Sequence, residues 1–389
     1  MKRALLIVLD SVGIGHAPDA DFFGDAGSNT LGHIRERAEH FSIPNLDAAG
    51  MAHAEALAAG HQPPETPTRM AWGCLTEQSA GKDTTTGHWE IAGAKLTESF
   101  ATFEKFPPSL VKELEKAAGV RFIGNYARSG TVILEELGEE HLNSGKPILY
   151  TSSDSVIQIA AHENVIPLEQ LYEICSTCRE IADRERIGRV IARPFTGHPG
   201  NFERTSNRRD FSLEPPRTVL NALFESGVHT VGIGKISDIF AGSGIANSFP
   251  TKSNQKGMEI IQQLWQEPVG SPTLYFANLV DFDMLFGHRR DVQGYANALQ
   301  EFDHWLGEFL PLIDDSESLF LITADHGNDP TWSGTDHTRE RVPLLASGPL
   351  PPASIGCRDQ FSDIAATLSE YFELDEWPEG RSILGDALD

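Results

Sequence analysis

Aspartate and histidine recur together in three segments of the last third of the chain. These segments are DFDMLFGHRRD (281–291), ADHGND (324–329) and GTDHTRE (334–340), and another aspartate, Asp10, closes the first apolar run. A single histidine is more often a core or surface residue than a metal ligand. The repeated pairing is hard to explain by packing, because a buried carboxylate is costly unless it is paired or bound to metal. Mixed oxygen and nitrogen ligands without thiolate suit Mn²⁺, Mg²⁺ or Zn²⁺.

The segment GKDTTTGHWE, from Gly81 to Glu90, places three hydroxyl groups between glycines. Glycine next to threonine usually indicates only a turn. Alternatively, one threonine hydroxyl is a nucleophile, which needs a base or a metal to activate it. A bound cation lowers the pKa of a hydroxyl, and two cations about 3.5–4 Å apart are usual for in-line phosphoryl transfer. The aspartates and histidines could supply those cations.

Short apolar runs that end in polar residues indicate the strands that would position these groups. They are ALLIVLD (4–10), ILYTSSD (148–154), HTVGIGK (229–235), LYFANLVDFD (274–283) and LFLITADHG (319–327). Stretches with helical spacing lie between them, and this alternation is typical of a mostly parallel sheet flanked by helices. Ligands gather outside the carboxyl ends of such strands. Because Asp10, Asp283, Asp325 and His326 fall at those ends, the sequence predicts an α/β fold with its site there.

The middle of the chain has a different character. From about residue 99 to 215 it carries its own strand and helix signals and many arginines, with proline-rich joints near 108 and 216. We expect an inserted domain at 99–215, and a catalytic core formed by 1–98 and 216–389.

Charge and hydropathy limit the possible partners. The formal net charge is −25, which argues against nucleic acid or an anionic membrane as a partner because both carry the same sign. The apolar run in MKRALLIVLD ends at Asp10 and is too short for a signal peptide, and no other run is long enough to span a bilayer. We therefore expect a cytoplasmic protein.

The four cysteines are too few for a disulfide scaffold in a chain of 389 residues. Cys175 and Cys178 form a CxxC pair within an amphipathic helical pattern, and no second pair is available to complete a zinc site. We expect this pair to serve packing rather than metal binding or redox chemistry.

Long motifs along the chain resemble the phosphopentomutase family. They include LDSVGIG, GKDTTTGHWE, YTSSDSVIQIAAHE, GRVIARPF, GNFERTSNRRDF, GKISDIF, NLVDFDMLFGHRRD, LITADHGNDPT and GTDHTRE, and the match runs from residue 5 to about 348. This family belongs to the alkaline phosphatase superfamily and is related to the cofactor-independent phosphoglycerate mutases. The resemblance implies an alkaline-phosphatase-like core with an inserted α+β cap domain for sugar-phosphate recognition.

The resemblance also implies particular roles. Thr84 would be the nucleophile that becomes phosphorylated, while Thr85 and Thr86 would be loop residues. One manganese ion would be held by Asp10, Thr84, Asp325 and His326, and the other by Asp283, His288 and His337. The sugar phosphate would contact Ser152, Asp154, Arg189, Arg204 and Lys235. An acidic protein that binds a phosphate monoester does need guanidinium and ammonium groups gathered locally, although each arginine alone could equally be a surface charge.

The implied activity is interconversion of α-D-ribose 1-phosphate and D-ribose 5-phosphate, and of their 2-deoxy forms, with a sugar bisphosphate (ribose 1,5-bisphosphate or glucose 1,6-bisphosphate) as activator. A phosphatase or a phosphoglycerate mutase on the same metal core is the nearest alternative. A non-catalytic protein that senses sugar phosphates is the alternative from another class. The sequence predicts no oligomeric state.

Overall fold

The computed structural model describes residues 1–152, 155–314 and 316–385. Asp154, which the family resemblance assigns to the substrate site, lies outside the described residues. The chain divides into two compact units: unit 1 contains Met1–Ser99 and Pro215–Asp389, and unit 2 contains Phe100–Glu214. Within the described residues, no helix combines the length and the apolar character needed to cross a membrane.

Strands and helices alternate along most of the chain. The strands are β1 (Arg3–Leu9), β2 (Ala71–Leu75), β3 (Ile123–Ala127), β4 (Ile148–Thr151), β5 (Val156–His162), β6 (Arg189–His198), β7 (Asn201–Arg204), β8 (Arg209–Ser212), β9 (His229–Ile233), β10 (Asn247–Phe249), β11 (Thr273–Leu279), β12 (Ser318–Thr323), β13 (Val342–Ser347) and β14 (Ser354–Arg358). The α-helices are α1 (Ala20–Phe23), α2 (Thr30–Arg37), α3 (Pro44–Ala49), α4 (Met51–Ala58), α5 (Thr84–Ile91), α6 (Pro108–Ala118), α7 (Gly130–Ser144), α8 (Leu168–Arg184), α9 (Val219–Glu225), α10 (Ile236–Ile239), α11 (Asn254–Gln266), α12 (Val292–Phe309) and α13 (Asp363–Tyr371). A π-helix spans Phe282–Gly287 and a 3-10 turn spans Leu310–Leu312.

Unit 1 is built on an eight-stranded sheet with the order β10-β9-β11-β1-β12-β13-β2-β14. Only β13 runs antiparallel to its neighbours, and the other pairs are parallel. Six of the seven residues of β1 are buried, as expected for a central strand covered on both faces. The predicted α/β class with a mostly parallel sheet is confirmed.

The central strands of this sheet bring the predicted acidic residues to one edge. Strands β11 and β12 flank β1, with Leu9 opposite Leu279 and Val8 opposite Thr323. Because all three strands are parallel, Asp10, Asp283 and Asp325 emerge from the same end of the sheet.

Unit 2 contains a separate six-stranded mixed sheet with the order β3-β4-β5-β6-β7, in which β8 also pairs with β6. The run ILYTSSD therefore contributes to this second sheet, as β4, and not to the large sheet. One hydrophobic cluster of unit 2 lies where α6 and α8 pack together, and both Cys175 and Cys178 of α8 are completely buried in it. Burial raises the pKa of both thiols, so the CxxC pair serves packing, as its helical pattern predicts.

Candidate active site

Two groups of buried carboxylates and imidazoles meet at the carboxyl end of the large sheet. One consists of Asp10, Asp325 and His326, and the other of Asp283, His326 and His337. Within each group the potential ligand atoms all lie within 4.8 Å of one another. His326 belongs to both groups, so the two groups are neighbours within a single site.

The first group is formed by the residues that follow β1 and β12. Nε2 of His326 lies 3.3 Å from Oδ2 of Asp325 and 3.6 Å from Oδ1 of Asp10, and all three side chains are fully buried. Nδ1 of His326 donates to the carbonyl oxygen of Gly327 at 3.0 Å. Burial lowers the pKa of His326, so its neutral form is favoured, and Nε2 keeps a lone pair that a metal ion between these groups would accept.

The second group depends on the π-helix at Phe282–Gly287. A π-helix bonds residue i to residue i+5, and the amide of His288 donates to the carbonyl oxygen of Asp283 at 3.0 Å. The spacing of five residues that marks this pair in the sequence therefore places both side chains together, with Nε2 of His288 3.1 Å from Oδ2 of Asp283. The ring of His337 lies 4.8 Å from that of His288 and 4.1 Å from that of His326, between ring centroids.

Several features of these groups fit divalent cations. Among the described residues, Oδ1 of Asp10 and Nε2 of His337 are buried atoms without a hydrogen-bond partner, although Nε2 of His337 lies 3.5 Å from Oδ1 of Asp283. Burial raises the pKa of Asp10, and the neighbouring Asp325 and Asp283 carboxylates raise it further. The pKa of His337 is raised to about 9, because the Asp283 carboxylate outweighs the effect of burial. Buried carboxylates held this close need positive charge, and these oxygen and nitrogen donors are those that Mn²⁺, Mg²⁺ and Zn²⁺ accept.

Thr84 is the first residue of α5, directly above the first group. The helix is capped by Asp83, whose carboxylate accepts a hydrogen bond from the amide of Thr86 at 3.1 Å. Oγ1 of Thr84 lies 3.1 Å from Nε2 of His326. The contact between Asp83 and Thr86 thus satisfies a backbone amide at the start of α5. The hydroxyl of Thr84 faces the buried imidazole of His326 at this N-terminus, which favours negative charge.

A glycine allows α5 to approach the strand ends this closely. A Cβ atom added at Gly87 would lie 2.1 Å from the carbonyl oxygen of Asp325, well inside van der Waals contact. Gly87 is therefore required by the contact between α5 and the residues after β12.

Three further side chains orient the site: those of Asn278, His88 and Asn328. The metal and nucleophile motifs of the sequence did not identify the two asparagines. Nδ2 of Asn278 donates to Oδ2 of Asp10 at 2.8 Å and lies 3.3 Å from Nε2 of His88, whose Nδ1 donates to the carbonyl oxygen of Thr84 at 2.9 Å. This chain of contacts connects the end of β1 to the start of α5.

Asn328 supports the second group in the same way. Its Nδ2 donates to Oδ1 of Asp283 at 2.7 Å. Both asparagines adjoin motif residues in the sequence, in NLVDFD and ADHGND. Nothing in their spacing shows that their amides would point at carboxylates, because that depends on which strands are neighbours.

The chain matches known proteins over its whole length. A family model described as the metalloenzyme superfamily matches residues 2–376. A phosphopentomutase from Desulfitobacterium hafniense (strain DSM 10664 / DCB-2) is 48% identical over 393 residues, which is 100% of both chains. A phosphopentomutase from Alkaliphilus metalliredigens (strain QYMF) is 50% identical and covers 98% of both chains. The chain belongs to the phosphopentomutase family.

This membership confirms the family predicted from the motifs and the prediction that the chain is an enzyme of the isomerase class. The superfamily match agrees with the two buried Asp and His groups of this phosphopentomutase family member. Among solved structures, a Leishmania mexicana phosphoglycerate mutase aligns over 98% of this chain and 97% of its own, with 14% identity and a TM-score of 0.48.

The residues that the family resemblance assigns to the sugar phosphate are distributed over both units. Lys235 of unit 1 is exposed and follows β9. Although burial raises the pKa of Asp10, the Lys235 ammonium acts in the opposite direction. In unit 2, Ser152 follows β4, and Arg189 begins β6, 3.8 Å from Oδ2 of Asp210.

Arg204, at the end of β7, lines a pocket of about 230 Å³ in unit 2, together with Arg193, Pro194, Thr205 and Arg208. Arg189 is not among its lining residues. Burial and the neighbouring Arg208 charge lower the pKa of Arg193, so positive charge is concentrated here in a strongly acidic protein. Arg193 and Arg208 were not predicted from the sequence, although they lie in the motifs GRVIARPF and GNFERTSNRRDF, respectively.

Proposed function

We propose that this member of the phosphopentomutase family interconverts α-D-ribose 1-phosphate and D-ribose 5-phosphate, and their 2-deoxy forms, with Thr84 as the phosphoryl carrier. The observation that carries this proposal is the position of the Thr84 hydroxyl, 3.1 Å from His326, which belongs to both buried Asp and His groups. Among the three consecutive threonines, Thr86 is engaged in capping α5, since its hydroxyl donates to Asp83 at 2.5 Å.

Two divalent cations, most suitably Mn²⁺, would be held at these groups. Asp10, Thr84, Asp325 and His326 would hold one, and Asp283, His288 and His337 would hold the other. When bound, the cations lower the pKa of the threonine hydroxyl and neutralise charge on the phosphoryl group. The buried Oδ1 of Asp10 and Nε2 of His337, which have no hydrogen-bond partner in the described part of the chain, support this assignment.

The residues of the chain provide positioning and charge for the transfer. The phosphoryl group would pass from Oγ1 of Thr84 to the free hydroxyl of the sugar phosphate, which gives a sugar bisphosphate, and the other phosphoryl group would return to Thr84. Phosphothreonine at this position would lie at the N-terminus of α5, where the helix dipole favours an anion. His88 and Asn278 would keep the backbone of Thr84 aligned with Asp10 during both transfers.

Recognition of the sugar phosphate would use arginine and lysine. In unit 2, Arg204 would bind the phosphate, with Ser152, Asp154 and Arg189 as further contacts, and Lys235 would add positive charge in unit 1. The guanidinium groups beside Arg204 support this role, because a phosphate monoester is bound most strongly by planar, forked donors. Ribose 1,5-bisphosphate or glucose 1,6-bisphosphate would serve as activator by phosphorylating Thr84.

Turnover and intact mass together test the proposal. Purified protein with Mn²⁺, ribose 5-phosphate and a trace of sugar bisphosphate should form ribose 1-phosphate, and one phosphoryl group should map to Thr84. Thr84→Ala should abolish both results, whereas Thr85→Ala, the matched control one residue away, should retain them. Release of free phosphate without ribose 1-phosphate would identify a phosphatase, and a phosphoryl group on Thr85 would refute the assigned nucleophile.

A further inference from the structure

Two cysteines that play no part in the site face each other across neighbouring strands. Cys74 on β2 and Cys357 on β14 are register partners in a parallel pair, and their Sγ atoms are 2.7 Å apart. Cys74 is buried in the sheet, whereas Cys357 lies on the edge strand and is exposed. This pair therefore combines close sulfur contact with an accessible partner.

The backbone already has the spacing that a covalent bond between them requires. Neighbouring strands lie about 4.7–4.9 Å apart, and the Cα atoms of disulfide-bonded cysteines are usually about 4.4–6.8 Å apart. The pairing of β14 with β2 shifts register between Ser354 and Gly356, and Gly356 has a positive φ of 75°. The edge strand is thus irregular next to Cys357, which permits the small adjustment that bond formation needs.

The two thiols also differ in reactivity. The pKa of Cys357 is lowered to about 7, mainly because of its hydrogen bond with the Cys74 thiol, with a further contribution from the Arg341 guanidinium. The pKa of Cys74 is raised by the same hydrogen bond and by burial. The thiolate is the nucleophile in disulfide exchange, so the exposed cysteine is the one poised to react first.

We propose that Cys74 and Cys357 form a reversible disulfide when the protein meets a low-molecular-weight disulfide such as oxidised glutathione. The thiolate of Cys357 attacks one sulfur of oxidised glutathione, which forms a mixed disulfide and releases one glutathione thiolate. Cys74 then loses its proton and attacks the sulfur of Cys357, which releases the second glutathione. Two cysteine thiols are oxidised, and one glutathione disulfide is reduced to two thiols.

The bond would fasten the edge of the sheet at the start of the segment that leads to α5. One residue beyond β2, the amide of Thr76 donates to the carbonyl oxygen of Arg358 at 3.0 Å. The buried Nη1 of Arg339 donates to Oε2 of Glu77 at 2.6 Å and to the carbonyl oxygen of Gly81 at 2.6 Å. Because the two cysteines are 283 residues apart in the chain, their bond would restrict the unfolded state and raise the melting temperature.

Thiol labelling after oxidation tests this inference. Reduced protein is incubated with oxidised glutathione, unfolded, alkylated and weighed, and its peptides are mapped. The wild-type chain should take up alkyl groups on only two of its four cysteines, retain no glutathione, and yield a Cys74–Cys357 cross-linked peptide. Its melting temperature should rise and return to the reduced value after treatment with dithiothreitol.

Three variants act as controls. Cys74→Ser removes the resolving thiol and should leave one glutathione attached to Cys357. Cys357→Ser should be alkylated at all its remaining cysteines, and Cys175→Ala/Cys178→Ala should still form the cross-link. Full alkylation of the oxidised wild type, glutathione retained on it, or a cross-link between two chains would each overturn the inference.

Discussion

The close approach of α5 to the strand ends makes Gly87→Ala a direct test of how Thr84, the proposed nucleophile, is positioned. The added Cβ would lie 2.1 Å from the carbonyl oxygen of Asp325, whereas ordinary contact begins at 3.4 Å. The helix and the residues after β12 must therefore separate by about 1.3 Å, because neither backbone can rotate out of the way as a side chain could. Thr84 moves with the helix and His326 with the strand end, so the shift falls directly on their 3.1 Å contact.

The size of the effect follows from this displacement. A misplacement of about 1 Å in a reacting group can cost on the order of 100-fold in rate, and we expect kcat/KM of Gly87→Ala to fall by about that factor. The overpacked contact should also lower the free energy of unfolding, by about 1–3 kcal/mol. The intrinsic helix preference of alanine, worth about 1 kcal/mol, opposes part of that loss, so stability should suffer less than activity.

Steady-state kinetics and thermal unfolding separate these effects. Gly257→Ala in α11 is the matched control, because its added Cβ would meet only the movable Cδ2 of Leu279, at 2.8 Å, and it should retain kcat/KM within a few-fold. Phosphorylation of Thr84 by a sugar bisphosphate should slow only in Gly87→Ala. If Gly87→Ala matched the control in both kcat/KM and phosphorylation rate, the close contact would not position Thr84 for the proposed transfer.

Three further predictions concern metal, substrate and pH. Removal of divalent metal by a chelator should abolish mutase activity and lower the melting temperature, since the buried Asp10 carboxylate then lacks a cation. Added Mn²⁺ should restore both, and activity that survives chelation would contradict this prediction. Arg204→Ala should raise KM for ribose 5-phosphate by about 10- to 100-fold, as loss of a charged hydrogen bond costs about 1.5–3 kcal/mol, whereas Arg209→Ala, which removes an arginine stacked on Tyr172 and outside that pocket, should not. Burial lowers the pKa of His141. Its Nδ1 donates to the carbonyl oxygen of Lys146, and its Nε2 accepts a hydrogen bond from the amide of His162. Its pKa in the folded state lies below that in the unfolded state, so the free energy of unfolding should fall as the pH drops below about 6.5. Unfolding titrations of wild type and His141→Gln should show a weaker acid dependence in the variant. Equal slopes of unfolding free energy against pH would refute the role of His141.

The sequence predicted the large sheet because its central strands are fully buried. Continuous apolar runs such as those of β1, β11 and β12 occur where both faces are covered, and their polar ends mark the edge at which ligands collect. Strand β13 was not predicted, because VPLLAS, unlike most of the predicted runs, is not followed by an acidic residue or a histidine that would mark the end of a strand. The run that contains Ile148–Thr151 has the same apolar character as the others, but this segment belongs to the second sheet, since composition does not show which strands pair.

The acidic and histidine residues proposed as ligands were easier to predict than their arrangement. The spacing between Asp283 and His288 has meaning only because a π-helix places residues five apart on one face. The family resemblance assigns His326 to one metal set only. In the structure it also lies beside His337, and this contact depends on the path of the segment after β12. The pocket beside Arg204 could not be anticipated, because Arg193 reaches it only through the antiparallel pairing of β6 with β7.

The neutral asparagines explain how a site with so many carboxylates keeps its geometry. Each carboxylate has two oxygens, and Asn278 occupies one oxygen of Asp10 while Asn328 occupies one oxygen of Asp283. An amide donates without adding charge, so it fixes the orientation of the carboxylate and leaves the other oxygen for a cation. A lysine in the same place would satisfy the carboxylate and compete with the metal. The amides at these two carboxylates are therefore consistent with the proposal that bound cations supply the positive charge.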